Sequence, residues 1–210
     1  MEKKIKLDDA YSLKTPDDSI KLYKKWAQTY DKDFAISSNY LSPQKISNFF
    51  LEHSKDTDTP ILDVGAGTGL VGEFLKIKYK KEIIGIDISS DMLHQAKLKK
   101  CYSSLIKADI TKKIPLNENS IGAVVSAGTF THGHVGPDVF DELIRIVKPG
   151  GLFVLSINSK FFIKAGFKKK FLKIKNIIST PLFEKFNAHG INTNKKYNEV
   201  KIIACIFRKN

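Results

Sequence analysis

The 210-residue sequence has few cysteines, no long apolar run and almost no arginine, and each shortage excludes a class of protein. Cys101 and Cys205 are the only cysteines, too few for a disulfide scaffold or a cysteine-based zinc site. No stretch approaches the roughly 20 apolar residues of a membrane span. The first residues also lack the apolar core of a signal peptide. We therefore expect a cytoplasmic protein whose two cysteines are reduced.

The chain is strongly basic through lysine rather than arginine. Its 35 basic and 22 acidic residues give a net charge of +13, yet only Arg145 and Arg208 are arginines. Arginine is the better fork for phosphate, so the charge leaves two readings open: a nucleic-acid surface, or a solvated lysine face. Both alternatives apply to residues 159–172, because lysines there interleave with phenylalanines in a basic amphipathic helical pattern.

Apolar runs of strand length alternate with helical periodicity from residue 60 onward. Such alternation predicts a parallel sheet with helices on both faces. Two helices precede the first strand and open at Thr15-Pro16 and Ser42-Pro43. We divide the chain into an N-terminal lid or helical segment, residues 1–42, and a main domain, residues 43–210. The predicted strands are residues 60–64, 82–88, 104–107, 123–127, 152–157, 177–186 and 200–207.

A glycine-rich loop follows the first predicted strand. Gly65, Gly67 and Gly69 lack Cβ atoms, so the loop can adopt positive φ and let a ligand touch the main chain. The helix behind it adds free N–H groups and a positive dipole end. Asp63, in the strand end, can orient the loop. Dinucleotides and other nucleosides both use such a site, and Gly67, Gly69 and Gly72 also satisfy the dinucleotide spacing.

Acids end two further strands and favour a nucleoside ligand. Asp87 closes the second strand, where a carboxylate can accept both ribose hydroxyls; capping the next helix is its alternative role. Asp109 follows the third strand, beside the expected adenine pocket, where Ile88 and Ile110 can sandwich the ring. Nicotinamide-dinucleotide folds do not regularly place an acid there, so Asp109 favours S-adenosylmethionine (SAM).

The segment after the fourth strand combines small residues with a polar-aromatic cluster. Ser126, Ala127 and Gly128 allow backbone to approach a ligand closely. His132 and His134 follow, and imidazole titrates near neutrality, so either histidine can serve as a general base. Their alternative role is to hold the loop by hydrogen bonds. The sequence shows no third metal ligand nearby, so we expect no metal site.

Aromatic residues of the N-terminal segment are candidates for a lid. Trp26, Tyr30 and Tyr40 either fold over the ligand or pack as the apolar stripe of a helix. Tyr30 is the best lid candidate, because it is expected to end its helix and precedes Asp31.

Together these segments resemble the class I SAM-dependent methyltransferases. The resemblance rests on the Asp63–Gly69 loop, Asp87, Asp109 and the segment Leu143–Leu152. It is closest to the subgroup typified by the methyltransferase-like protein of the Williams–Beuren region, through Trp26-Ala-x-x-Tyr-Asp and Phe-Thr-His-Gly-His-Val-Gly-Pro. It implies an α/β fold with a seven-stranded Rossmann-like sheet of order 3-2-1-4-5-7-6, the last strand antiparallel.

The resemblance also implies which residues contact SAM and its product S-adenosylhomocysteine. Those residues are Tyr30, Asp63, Gly65, Ala66, Gly67, Thr68, Gly69, Asp87, Ile88, Met92, Asp109, Ile110, Ser126, Ala127 and Gly128. The acceptor stays open. Because no Asn/Asp-Pro-Pro-Tyr/Phe segment follows the fourth strand, adenine amino-methylation is disfavoured, and a small molecule is our first expectation. RNA or protein methylation through the basic surface is the alternative, as is a non-catalytic nucleic-acid binder on this fold.

Overall fold

The computed structural model describes Asp9, Leu13 and residues 15–191 and 198–210. The other residues of the predicted lid before Thr15 lie outside the described residues. The helices are α1 (Pro16–Trp26), a π-helix (Asp31–Ile36), α2 (Ser42–His53), α3 (Leu70–Lys78), α4 (Ser90–Leu98), a 3-10 turn (Pro137–Val139), α5 (Phe140–Ile146), α6 (Ser159–Lys164) and α7 (Phe167–Ile174). The strands are β1 (Ile61–Val64), β2 (Ile83–Asp87), β3 (Ser104–Lys107), β4 (Ile121–Phe130), β5 (Val147–Asn158), β6 (Leu182–Asn187) and β7 (Lys201–Arg208).

The strands form one seven-stranded sheet of order β3-β2-β1-β4-β5-β7-β6. The pairs β1–β2, β1–β4, β2–β3 and β4–β5 are parallel, whereas β7 runs antiparallel to both β5 and β6. The order and the antiparallel last strand confirm the expectation from the resemblance. Because β1, β2 and β4 are parallel neighbours, their carboxyl ends meet at one edge of the sheet, where ligands of such folds bind.

Helices cover both faces of the sheet, and each face has its own core. On one face, Ile46 and Phe50 of α2 and Leu75 of α3 pack with sheet residues. On the other face, Leu143 of α5 and Phe167 of α7 pack with the opposite sides of the strands. All four residues of β1 are therefore buried, including a carboxylate. A two-sided core makes the strand ends rigid supports for the loops that follow them.

The N-terminal helix starts as predicted but ends early. Thr15 caps α1: its hydroxyl accepts the N–H of Asp18, whose carboxylate accepts the N–H of Thr15. The helix ends at Trp26, so Tyr30 does not end it and instead directly precedes the π-helix. Our expectation for Tyr30 was wrong here, because periodic aromatic spacing continues through a segment whose backbone changes helix type.

Other boundaries also differ from the sequence prediction: β4 extends over Ile121–Phe130, and β6 begins only at Leu182. The single helix expected over residues 159–172 is two helices, because Gly166 adopts φ +80° and starts α7 afresh. The segment Lys148–Gly151 precedes the strand expected at residues 152–157. It belongs to β5, whose pairing with β4 shifts register between Val147 and Leu152, and Gly150 adopts φ +78° in that irregular stretch.

Candidate functional site

A cavity lies at the carboxyl ends of the parallel strands, under the N-terminal helices; we call it the outer cavity. Twelve of the residues predicted to contact a nucleoside line it. They are Tyr30, Gly65, Ala66, Gly67, Thr68, Asp87, Ile88, Met92, Asp109, Ile110, Ala127 and Gly128. Three do not line it: Asp63, Gly69 and Ser126. Of the two candidate bases, His134 lines the wall and His132 does not.

The glycine loop has the geometry that the sequence predicted. Gly65, Gly67 and Gly69 adopt φ of 67°, 54° and 90°, which L side chains rarely adopt. A Cβ on Gly65 would lie 2.0 Å from the hydroxyl of Thr129, so that position is closed to any side chain. The loop therefore presents bare backbone to the outer cavity.

The carboxylate of Asp87 ties this loop to the next helix. One oxygen accepts the N–H of Gly67 at 2.8 Å, and the other accepts the N–H of Ser89 at 2.8 Å. Burial raises the pKa of Asp87, while these backbone donors favour the ionised form. Ser89 itself caps α4 by accepting the N–H of Met92. Asp87 thus holds two walls of the outer cavity, and each carboxylate oxygen retains a lone pair for a ligand.

Asp109 is held by a local turn at the third strand end. Its Oδ1 accepts from the backbone N–H of Thr111 at 2.9 Å and from the Thr111 hydroxyl at 2.6 Å. Ile88 and Ile110 line the same cavity, so two acids and two apolar side chains share one wall. This combination suits a flat nitrogen heterocycle joined to a sugar.

Asp63 lies beneath the loop and is fully buried. Its Oδ2 accepts from the hydroxyl of Tyr102 at 2.6 Å, while Oδ1 has no hydrogen-bond partner among the described residues. Burial raises the pKa of Asp63 to about 7; Tyr102 opposes the shift and the charge of Asp87 adds to it. Tyr102 also accepts the N–H of Gly72 in α3. Sequence reasoning missed Tyr102, which falls outside every motif.

Ser126 and Gly69, the other two predicted residues that do not line the outer cavity, contact the residues that surround the glycine loop. Ser126 is buried and donates to the carbonyl of Val64 at 2.7 Å, joining the ends of β4 and β1. Gly69 precedes α3, and a Cβ there would press on Ala96 and Tyr102 at 3.2 and 3.0 Å. Both residues support the loop, and neither lines the outer cavity.

The N-terminal segment closes over the loop through a polar contact. Thr68 donates to Oδ1 of Asp31 at 2.5 Å. Lys99 lies 2.7 Å from Oδ2 of Asp31 and 2.6 Å from Glu73. Asp31, next to Tyr30, therefore bridges the π-helix, the glycine loop and α4.

The two histidines have different environments. His134 is partly buried beneath the N-terminal segment: its Nε2 lies 3.0 Å from the Tyr23 hydroxyl, and its Nδ1 lies 3.0 Å from the His132 carbonyl. Burial lowers the pKa of His134. The ring of His132 instead packs edge-on against Phe161 at 5.1 Å. The sequence alone does not distinguish the two histidines; in the structure, only His134 lines the outer cavity.

A second, inner cavity adjoins the outer one. Both are lined by Tyr23, Tyr30, Tyr40, Gly128 and His134. A Cβ on Gly128 would lie 2.7 Å from the Tyr40 hydroxyl, so the boundary between the cavities requires glycine.

The sequence predicts some of these lining residues and misses others. It marks Tyr40 as a lid candidate, but not Tyr23. The outer-cavity residues that sequence reasoning missed are Tyr23, Pro43, Leu70, Ala108, Thr111, Thr129, Gly133 and Val135.

Both arginines are engaged in internal contacts. Arg145 pairs with Glu142, its Nη2 lying 2.6 Å from Oε1, and Arg208 binds both carboxylate oxygens of buried Asp58 at 2.8 and 3.0 Å. Neither guanidinium is therefore free to form a fork for phosphate.

Among the described residues no cluster of three metal-ligating side chains occurs, and none of the described helices could cross a membrane.

Comparison with known proteins places these features in a family. Residues 62–155 match the family model described as a methyltransferase domain. Human "Methyltransferase-like protein 27" is 32% identical over 146 residues, which cover 67% of this chain and 59% of that protein. The chain spans about half the length of the curated relatives that it matches.

Solved structures share the fold at low sequence identity. A TehB-like SAM-dependent methyltransferase from Corynebacterium glutamicum matches with a TM-score of 0.62 and 16% identity, covering 90% of this chain and 98% of that one. The phosphoethanolamine N-methyltransferase 2 of Haemonchus contortus, solved with S-adenosylhomocysteine, matches with a TM-score of 0.65 and 13% identity, covering 92% and 58%.

Proposed function

The chain belongs to the class I SAM-dependent methyltransferases, and on that premise we propose that it transfers a methyl group from SAM to a small-molecule acceptor. The observation that carries the proposal is the pair of joined cavities, one built for a nucleoside and one behind it. We further propose that residues 1–42 act as a lid on the domain formed by residues 43–210.

The side chains and backbone of the outer cavity fit SAM. The bare glycine loop and the unpartnered Oδ1 of Asp63 beneath it suit the amino-acid end, because an ammonium favours carbonyl and carboxylate oxygens. Asp87 would hold the ribose. Ile88 and Ile110 would flank the adenine, with Asp109 accepting from its amino group. Bound SAM supplies an electrophilic methyl carbon on a positively charged sulfur.

The protein's own contribution to the transfer is positioning and proton removal. The aromatic side chains of the N-terminal segment exclude water from the boundary between the cavities and orient the acceptor. His134 accepts the acceptor's proton on Nε2, with the Tyr23 hydroxyl as the group between them. His132 serves through its carbonyl, which holds the imidazole in the required tautomer.

A small molecule is the acceptor that the inner cavity favours. Its walls include Trp26 at 2% exposure and Phe34 at 6%, so a polymer could present only a single protruding group there. Methylation of RNA or protein through the lysine-rich surface is the less favoured alternative, as is non-catalytic nucleic-acid binding.

Calorimetry with SAM and S-adenosylhomocysteine tests the proposal, followed by methyl-transfer assays with labelled SAM across metabolite, RNA and protein fractions. We expect saturable binding of both ligands and label in the metabolite fraction. Absence of binding at millimolar ligand would refute SAM dependence. Steeply salt-dependent RNA binding without SAM affinity would establish the nucleic-acid binder instead.

A further inference from the structure

The inner cavity carries information about the acceptor's chemistry. Eight of its lining residues do not touch the outer cavity: Trp26, Phe34, Phe130, Thr131, Ser156, Asn158, Ala188 and Ile202. Of the described residues that line it, none is Asp, Glu, Lys or Arg, and His134 is its one ionisable imidazole. The acceptor therefore meets no full charge of either sign within the described wall.

Aromatic side chains make up the wall next to α1 and the π-helix. The ring of Trp26 lies 5.0 Å from that of Tyr30 and 5.6 Å from that of Phe34, and Phe34 lies 5.1 Å from Tyr40. These rings are inclined to one another, and the ring edges and faces that they present pack best against a flat apolar body. A flexible, highly polar ligand would lose its hydration there without compensation.

Two polar atoms of the wall residues lack partners in the described part of the chain. They are the indole Nε1 of Trp26 and the hydroxyl of Thr131, both buried. An indole N–H can only donate, so its natural complement is an oxygen lone pair on the ligand. An ammonium or alkylammonium group offers no such lone pair, and no described carboxylate lines the cavity to balance its charge.

Phosphorylated and carboxylated acceptors are disfavoured for the opposite reason. No lysine or arginine is among the described residues that line the inner cavity, and buried anions require charge-assisted donors. Most lysines of α6 and α7 lie at the surface, where Lys168, Lys169 and Lys173 are exposed, whereas Lys170 is buried and pairs with Asp141. These exposed lysines do not line the inner cavity, so they cannot balance the charge of an anionic acceptor bound there.

We propose that the inner cavity is the acceptor pocket and that it takes a small neutral ring compound bearing a hydroxyl group, a phenol or hydroxylated heterocycle. The inference rests on the proposed methyltransferase function. The hydroxyl oxygen forms the new bond to the methyl carbon, and the carbon–sulfur bond breaks with its electron pair going to sulfur. The hydroxyl proton passes to Nε2 of His134 through the Tyr23 hydroxyl. The products are an aryl methyl ether and S-adenosylhomocysteine.

A ring-matched set of probes tests this selectivity. The 210-residue protein, saturated with labelled SAM, is given 4-methylphenol, benzylamine or phenyl phosphate, and labelled product is measured. Calorimetry measures the binding of each probe with S-adenosylhomocysteine present. We expect 4-methylphenol to bind and react at least tenfold better than either charged probe. Preference for benzylamine or phenyl phosphate would overturn the assignment, and so would failure of 4-methylphenol to bind the protein loaded with S-adenosylhomocysteine.

Two variants test whether the acceptor binds in the inner cavity. Thr131→Val keeps the side-chain shape and Trp26→Phe keeps an aromatic ring, so each removes a polar hydrogen while S-adenosylhomocysteine affinity stays within twofold. Each should raise the KM for 4-methylphenol at least fivefold, whereas Thr57→Val, at an exposed position, should leave KM unchanged. An unaltered KM in both pocket variants would place the acceptor elsewhere. If the wild-type protein did not bind S-adenosylhomocysteine, the proposed function on which the inference rests would be refuted.

Discussion

The hydroxyl of Tyr23 lies 3.0 Å from Nε2 of His134, and the opposite ring nitrogen lies 3.0 Å from the carbonyl of His132. A carbonyl only accepts, so Nδ1 carries the proton and Nε2 accepts from the tyrosine. Tyr23 belongs to α1, whereas His134 belongs to the loop after β4. The basic nitrogen is therefore directed toward the joined cavities by contacts from two distant parts of the chain.

Removing either partner should slow methyl transfer without abolishing cofactor binding. We expect Tyr23→Phe and His134→Gln each to lower kcat by about 10²–10⁴, the usual contribution of a positioned acid or base. Affinity for S-adenosylhomocysteine should change by less than about fivefold, because neither side chain is among those assigned to contact the cofactor. His132→Ala is the matched control and should retain turnover, since that residue acts through its backbone. Full turnover in His134→Gln would contradict the role of the imidazole.

The pH dependence of turnover should reflect the burial of His134. Burial lowers the pKa of this imidazole from its ordinary value of 6.5, although the His132 carbonyl opposes the shift. The neutral, proton-accepting form therefore persists below pH 6.5, and its fraction falls only as the pH drops through the lowered pKa. We expect kcat to remain flat through pH 6.5 and to decline at lower pH. A decline centred above pH 6.5 would indicate a different base.

Asp87 should dominate cofactor affinity. Its carboxylate holds both the N–H of Gly67 and the N–H of Ser89, so Asp87→Ala removes a ligand contact and loosens two walls. The expected loss is about 1–3 kcal/mol, or roughly 5- to 150-fold in the Kd for S-adenosylhomocysteine by calorimetry. Glu118→Ala, at an exposed acid, should bind normally. Unchanged affinity in Asp87→Ala would exclude the predicted ribose contact.

The features that the sequence predicted well are local. A strand that ends in Asp-Val and continues into Gly-Ala-Gly-Thr-Gly encodes its own loop, because the positive φ at the three glycines depends on their lack of a side chain. Asp87 and Asp109 were found for a related reason. Each ends a strand, and parallel strand ends converge on one edge.

The features that the sequence did not predict are contacts between distant segments. Tyr102 supports Asp63, 39 positions away, and Tyr23 meets His134 across 111 positions. No periodicity or motif encodes such pairs, because they depend on how helices dock on the sheet. The same holds for Trp26 and Phe34, whose helical spacing predicts burial but not that they line a cavity.

The bridge made by Asp31 should couple the N-terminal segment to cofactor affinity. Asp31→Asn keeps the shape but removes the charge that pairs with Lys99, and it weakens the acceptor for the Thr68 hydroxyl. We expect the Kd for SAM to rise about 3- to 10-fold. The wild-type Kd should also rise with salt more steeply than that of the variant. Asp56→Asn disrupts an exposed ion pair with Lys81 and should leave SAM binding unchanged. Identical salt dependence in wild type and Asp31→Asn would show that the bridge does not govern closure.

The buried carboxyl of Asp63 should make the ligand-free protein lose stability as the pH rises. Its pKa is raised to about 7, chiefly by burial, so between pH 4 and 7 this carboxyl keeps its proton when folded and loses it when unfolded. The stabilising contribution is therefore complete near pH 4 and is lost as the pH rises through about 7. Asp63→Asn cannot titrate, so its Tm relative to wild type should increase from pH 4 to pH 8. The full shift corresponds to at most about 4 kcal/mol.

An acid with the opposite shift provides the control for this measurement. Asp56 is exposed, and its pKa is lowered, first by its hydrogen bond to Lys81 and then by the lysine's charge. Its contribution is present above its ordinary pKa and is lost as the pH falls, so Asp56→Asn should show a small change confined to acidic pH. Thermal unfolding from pH 4 to 8 separates the two cases. A difference between Asp63→Asn and wild type that stays constant with pH would show that Asp63 is ionised throughout, and that Tyr102 suffices to stabilise its charge.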